Sequence, residues 1–98
     1  MKYIGNSFSL QMLGTDKGLV GFKILTKDDF EFQTRNAYSI VGHEDTARVL
    51  GVKMNRESIS LKKGDILFIA QIIGGRLPEG ATKLPQSCTF KFMQVEII

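Results

Sequence analysis

The chain has 98 residues, 43% of them hydrophobic and 23% charged, with a formal net charge of +3. That balance predicts one soluble globular domain and excludes a disordered chain. The mild positive charge suits an anionic ligand but falls short of the dense basic stripe of a duplex-binding protein. Lys2–Ile4 begins a strand. Asn6, Ser7 and Ser9 then break the pattern, and their side chains can bond nearby backbone N–H groups to start a short helical turn carrying Leu10, Met12 and Leu13. Gly14–Gly18 is a turn, and Leu19–Leu25 reads as a strand with Val20, Phe22 and Ile24 on one face. Thr26 followed by Lys27-Asp28-Asp29 resembles a helix start, yet Phe30-Glu31-Phe32-Gln33 alternates like a strand. Both readings stand, with helix favoured.

Tyr38–Val41 is predicted extended. After Gly42-His43, the acidic first turn Glu44-Asp45 opens a helix that runs to Leu50 and stops at Gly51, a suitable left-handed terminator. Ser58–Leu61 alternates weakly. Lys62-Lys63-Gly64-Asp65 is a turn leading into the strand Ile66–Ile73, and Phe90–Ile98 is the last strand. Strands punctuated by two short helical segments imply a small α+β domain with a mixed, mostly antiparallel sheet.

One cysteine (Cys88) and one histidine (His43) exclude an internal disulfide and nearly exclude a structural zinc cluster. No phosphate-loop or dinucleotide fingerprint is present, so an enzyme here is expected to need no cofactor. The longest apolar stretch, Ile66–Ile73, is interrupted by Gln71 and is too short to span a bilayer, and Met1–Leu13 has no signal-peptide pattern. A cytoplasmic location is expected, with no membrane partner. A core of this size is modest, and a dimer is a natural way to bury more surface.

Five places carry polar chemistry, each with a plainer alternative. His43 sits at an element end beside a glycine, where sites gather, or it is simply a helix-start histidine. Arg76 and Glu79 lie within GGRLPEG; they are a phosphate fork and its support, or the solvated flanks of a turn made by Pro78 and Gly80. Asn6, Ser7 and Ser9 bind a ligand or cap a helix. Gln71, polar in an apolar strand, points into a pocket or faces water, and Asn55-Arg56 precedes a strand and reads equally as loop. Taken singly, the plainer reading is favoured for His43, for Arg76 with Glu79, and for the Asn6–Ser9 stretch. No nucleophile elbow or paired-carboxylate pattern competes with them.

Together the segments NSFSLQML (Asn6–Leu13), VGHEDTARVLG (Val41–Gly51), MNR (Met54–Arg56), KKGDILFIAQ (Lys62–Gln71) and GGRLPEG (Gly74–Gly80) form an ordered set. In that order they resemble the viral type III anti-CRISPR ring nucleases and their cellular prokaryotic relatives, GHxxTA and RLPEG being the most specific parts. The resemblance implies one ring nuclease domain over residues 1–98, folded as a compact α+β unit in a two-fold homodimer. The ligand it implies is cyclic tetra-adenylate, lying across the dimer interface and cleaved without metal. Carried over position by position, it makes His43, Arg76 and Glu79 catalytic. It places Asn6, Ser9, Gln11, Arg56 and Gln71 around the ligand, although Gln11 replaces an asparagine of some relatives. The segment between Leu25 and Tyr38 is short for the family and the region after Pro85 is trimmed, so reduced or absent helices are expected there. A rival from another class is a module that sequesters a cyclic nucleotide without cutting it. A transcription regulator fits less well, since no helix-turn-helix pattern is present.

Overall fold

The computed structural model describes residues 1–98. In chain order the elements are β1 (Lys2–Gly5), a 3-10 turn (Leu10–Met12), β2 (Val20–Leu25), α1 (Lys27–Gln33), β3 (Tyr38–Ser39), α2 (Glu44–Leu50), β4 (Ile66–Ile73) and β5 (Thr89–Ile97). The strands form one sheet in the order β2-β5-β4-β1-β3. β1 runs parallel to β3 and β4, whereas β5 runs antiparallel to β4 and β2 in the longer ladders. This is the mixed, mostly antiparallel α+β sheet that the sequence predicts.

The apolar run of β4 is nearly continuous because both of its faces are covered. Phe68 and Ala70 pack on the helix side with Ile4, Leu25 and Phe30. Leu67 and Ile69 pack on the other side with Ile40, Leu61 and Val95, under the Asn6–Leu13 segment that contributes Phe8 and Met12. Residues 27–33 resolve as helix. The Thr26 hydroxyl accepts the Asp29 N–H at 3.1 Å, a side-chain cap that satisfies one free donor of the first turn. A strand would put Phe30 and Phe32 on one face. The helix parts them, burying Phe30 and leaving Phe32 64% exposed. Helix α2 ends at Gly51, whose N–H reaches the carbonyls of Ala47 and Arg48.

Two features depart from what local patterning suggests. Phe22 and Ile24 do share a face of β2, but that face is 57% and 83% exposed at these positions. β2 is an edge strand, and the covering segment reaches only far enough for Phe8 to meet Phe22 edge-on at 5.7 Å. Ser58–Leu61 forms no strand; Leu61 alone bridges to Leu13. Between β4 and β5 the chain makes a long loop, Gly74–Cys88, without a helix. Its base is tight: Gly74 has φ +102°, and a Cβ there would lie 2.5 Å from the Ser87 carbonyl oxygen. The glycine pair therefore closes the loop on itself. No helix is long and apolar enough to cross a membrane.

Candidate functional site

Parallel strands share a carboxyl end, and ligands of sheets with parallel strands gather there. β1, β3 and β4 are the parallel set. The segments leaving their carboxyl ends are Asn6–Leu13, Ile40–His43 and Gly74–Gly80. These are the segments that carry Asn6, Ser9 and Gln11, then His43, then Arg76 and Glu79. The topology thus brings together residues that the sequence scatters over most of its length.

Gly42 is the hub of the first cluster. Its N–H donates to Asn6 Oδ1 at 3.3 Å, and its carbonyl accepts from Arg56 Nε at 3.0 Å. The MNR segment is placed for this by Asn55, which donates from its backbone to the Val41 carbonyl (2.9 Å) and from its amide to the Ser39 carbonyl (3.1 Å). Asn6 does not cap the neighbouring turn; it reaches across the sheet end instead. Ser9 occupies the N-cap position of the 3-10 turn without making a side-chain cap bond. Arg56 spends only Nε on Gly42, and its two terminal nitrogens make no hydrogen bond within the chain.

His43 is the N-cap of α2 and is exposed. Its Nδ1 accepts the Thr46 N–H at 3.3 Å and lies 3.3 Å from the Thr46 hydroxyl. A ring nitrogen that accepts from an amide carries no proton, so the neutral ring holds its hydrogen on Nε2. When the ring is protonated, Nδ1–H needs an acceptor, and the buried Thr46 hydroxyl is within reach. Nε2 makes no hydrogen bond within the chain, and it is the nitrogen free for a ligand.

The RLPEG loop reaches this cluster through its backbone. Gly80 N–H donates to Asp45 Oδ1 at 3.2 Å, and Arg48 Nη1 donates to the Ala81 carbonyl at 3.3 Å and to Asp45 Oδ1 at 2.8 Å. The Arg48 hydrogen bond holds the Asp45 carboxyl below the usual carboxylate range, with the Gly80 N–H and the His43 ring lowering it further against a desolvation cost. Arg76 and Glu79 are exposed, and their side chains make no hydrogen bond or ion pair, so neither is bonded to His43. Gln11 is exposed on the 3-10 turn. Gln71 is exposed too, in an interior strand rather than at an edge. It lies past Ile69, the last β4 residue that β1 matches, and opposite Lys91.

The predicted residues therefore fall into three groups. Asn6, His43 and Arg56 are linked through Gly42; Arg76 and Glu79 are tethered to the start of α2; Ser9, Gln11 and Gln71 lie on the surface without a bond to either. Sequence reasoning missed Asp45, Arg48 and Thr46 as members, and singled out Asn55 only together with Arg56, with loop as the plainer reading. Thr46 lies inside GHxxTA, and Asp45 with Arg48 has the spacing of a helix-surface pair, but nothing local signals their link to Gly80 and Ala81. A furrow of about 830 Å³ lies between α1, the end of α2 and Thr82–Leu84, and none of the predicted site residues lines it. It is an apolar gap over Phe90 and Phe92 left by two short helices, distinct from the polar cluster. No group of three or more His, Cys, Asp or Glu side chains is placed to hold a metal ion.

No curated protein matches the chain. Among solved structures, B116 of Sulfolobus turreted icosahedral virus (STIV) is similar, with a TM-score of 0.79 at 21% identity over 97% of each chain. At that identity the likeness is one of fold. A family model described as STIV B116-like matches residues 2–89, so the chain belongs to the STIV B116-like family.

Proposed function

We propose that the domain is a metal-independent ring nuclease, acting as a homodimer. It would bind cyclic tetra-adenylate across the two-fold interface and convert it to linear di-adenylate ending in a 2′,3′-cyclic phosphate, silencing type III CRISPR signalling. The observation that carries this reading is the gathering of Asn6, His43, Arg56 and the RLPEG loop at the carboxyl ends of the parallel strands. The ring nuclease motifs in the sequence supply the substrate.

The chemistry follows from the substrate. An RNA phosphodiester carries its own nucleophile, the 2′-hydroxyl, which gives its proton to water as its oxygen bonds to phosphorus and the bond from phosphorus to the 5′-oxygen breaks; the protein's task is to hold it in line with that departing oxygen. Protonated His43 donates its Nε2 proton to that oxygen as general acid, while the Nδ1 proton stays on the ring, hydrogen-bonded to the Thr46 hydroxyl. Arg76 neutralises charge growing on the phosphoryl oxygens. Arg56, pinned by Nε, presents its remaining donors to a neighbouring phosphate. Glu79 orients Arg76 or the imidazole once the ligand draws them together. A two-fold dimer sets two His43 rings on opposite sides of a four-membered ring, which gives two cuts and two di-adenylates.

The exposed apolar side chains of β2 support the second copy. Phe22 and Ile24 lie on the sheet face that also carries Gln71, a position that a facing protomer would cover. Burying one Ile contributes about 1.5–3 kcal/mol, counted twice in a two-fold interface. Ile24→Asp is therefore expected to weaken the dimer at least about a hundredfold, read as a monomer by sedimentation. An unchanged dimer would place the interface elsewhere.

A further inference from the structure

The loop Gly74–Cys88 bonds to the rest of the domain at one place. Its other hydrogen bonds are internal, Ala81 N–H to the Pro78 carbonyl and Cys88 N–H to the Pro85 carbonyl among them. The exception is the start of α2, where Asp45 accepts the Gly80 N–H and Arg48 donates to the Ala81 carbonyl, the two side chains being joined at 2.8 Å. The two contacts have opposite polarity on adjacent loop residues, so they fix both the position and the rotation of that stretch of backbone. Glu44 holds the other terminal nitrogen of Arg48 at 3.2 Å and touches nothing in the loop. His43, the N-cap, immediately precedes this turn of helix, while Glu79 immediately precedes Gly80.

We propose that Asp45 and Arg48 are positioning residues, a clip that sets the RLPEG loop against the helix turn bearing His43, so that Arg76 and Glu79 meet the same phosphate as the imidazole. This rests on the ring nuclease reading for its catalytic consequence, but the clip itself has a readout that does not. Arg76-Leu77 and Lys83-Leu84 are trypsin-cleavable bonds on either side of the clipped residues. Local opening governs cutting in a folded protein. Releasing the clip exposes those bonds without unfolding the sheet, whose own ladders do not involve Asp45 or Arg48.

The test compares the full chain with Asp45→Ala, Arg48→Ala, Asp45→Asn and, as control, Glu44→Ala. Under native limited trypsinolysis, the two clip-breaking alanine variants are expected to be cut in the loop at least about fivefold faster, with melting temperatures close to the parent. Single-turnover cleavage of cyclic tetra-adenylate should fall by about tenfold to a hundredfold, while its Kd changes by less than about threefold, a loss in kcat rather than in KM. Asp45→Asn keeps an oxygen for the Gly80 N–H and should recover part of both effects; Glu44→Ala should match the parent. Unchanged trypsin cutting in both alanine variants would overturn the clip. Faster cutting with an undiminished cleavage rate would overturn its positioning role. If the parent itself fails to cleave the ring, the nuclease reading falls, and the trypsin arm still decides whether the clip exists.

Discussion

His43→Ala is expected to abolish ring cleavage while leaving cyclic tetra-adenylate bound. A positioned general acid contributes about 10²–10⁴ in rate, and Nε2 is the ring nitrogen free to do this. The same substitution removes a helix cap, since Nδ1 accepts the Thr46 N–H, and loss of a cap costs about 1 kcal/mol. His43→Asn separates the two effects. Its amide oxygen can accept the Thr46 N–H, keeping α2 capped, but it has no proton to give at neutral pH. Both variants should fall by the same factor in single-turnover cleavage, with only His43→Ala losing stability. Cleavage at the parental rate in either would sink the assignment of His43 as the acid.

The largest effect on stability is expected from Phe68→Ala. Phe68 is fully buried at the centre of β4, among Ile4, Leu25, Phe30 and Ala70. Emptying such a site costs about 3–5 kcal/mol, a large share of the about 5–15 kcal/mol that holds a domain folded. Urea denaturation should show a midpoint shifted far down, or no folded baseline. Phe32→Ala, on the exposed side of α1, removes the same ring and should cost about 0.5 kcal/mol or less. A loss at Phe32 as large as that at Phe68 would contradict the helical assignment of residues 27–33, because a strand would set Phe32 on the same face as the buried Phe30.

That pair shows where the sequence was legible. The Thr26 cap and the apolar run of β4 are local signals, written in residues next to the structure they create. Gly51 is another, and α2 begins and ends where its acidic first turn and its glycine place it. Strand pairing is not local: the parallel placement of β1 beside β3 and β4 is decided by long-range packing of Ile4, Phe68 and Ile40. Phe22 and Ile24 look like a core face because alternation records chemistry and not coverage, and an edge strand can keep its apolar side uncovered within one chain. The site divides in the same way. GHEDTARVLG announces its helix, whereas the partners of Asn6 and Asp45 lie 36 and 35 positions along the chain, at Gly42 and Gly80. Motif resemblance led to the residues, and topology sets the segments that carry His43, Asn6 and the RLPEG loop at one end of the parallel strands.

Acid is expected to act on the clip late. Asp45 is held below the usual carboxylate range, so its contribution is complete above that range and is lost only as pH falls through the lowered value. Loop protection from an acid-tolerant protease should accordingly survive mild acidity and disappear in strong acid.

The central claim is tested most directly by incubating the protein with cyclic tetra-adenylate in EDTA, with cyclic hexa-adenylate alongside, and resolving the products by mass. The account predicts conversion of the tetra-adenylate ring to linear di-adenylate with a 2′,3′-cyclic phosphate, undiminished by the chelator. Recovery of an intact but tightly bound ring would make the protein a sequestering module instead, and cleavage that appears only on adding metal would contradict the histidine-acid mechanism.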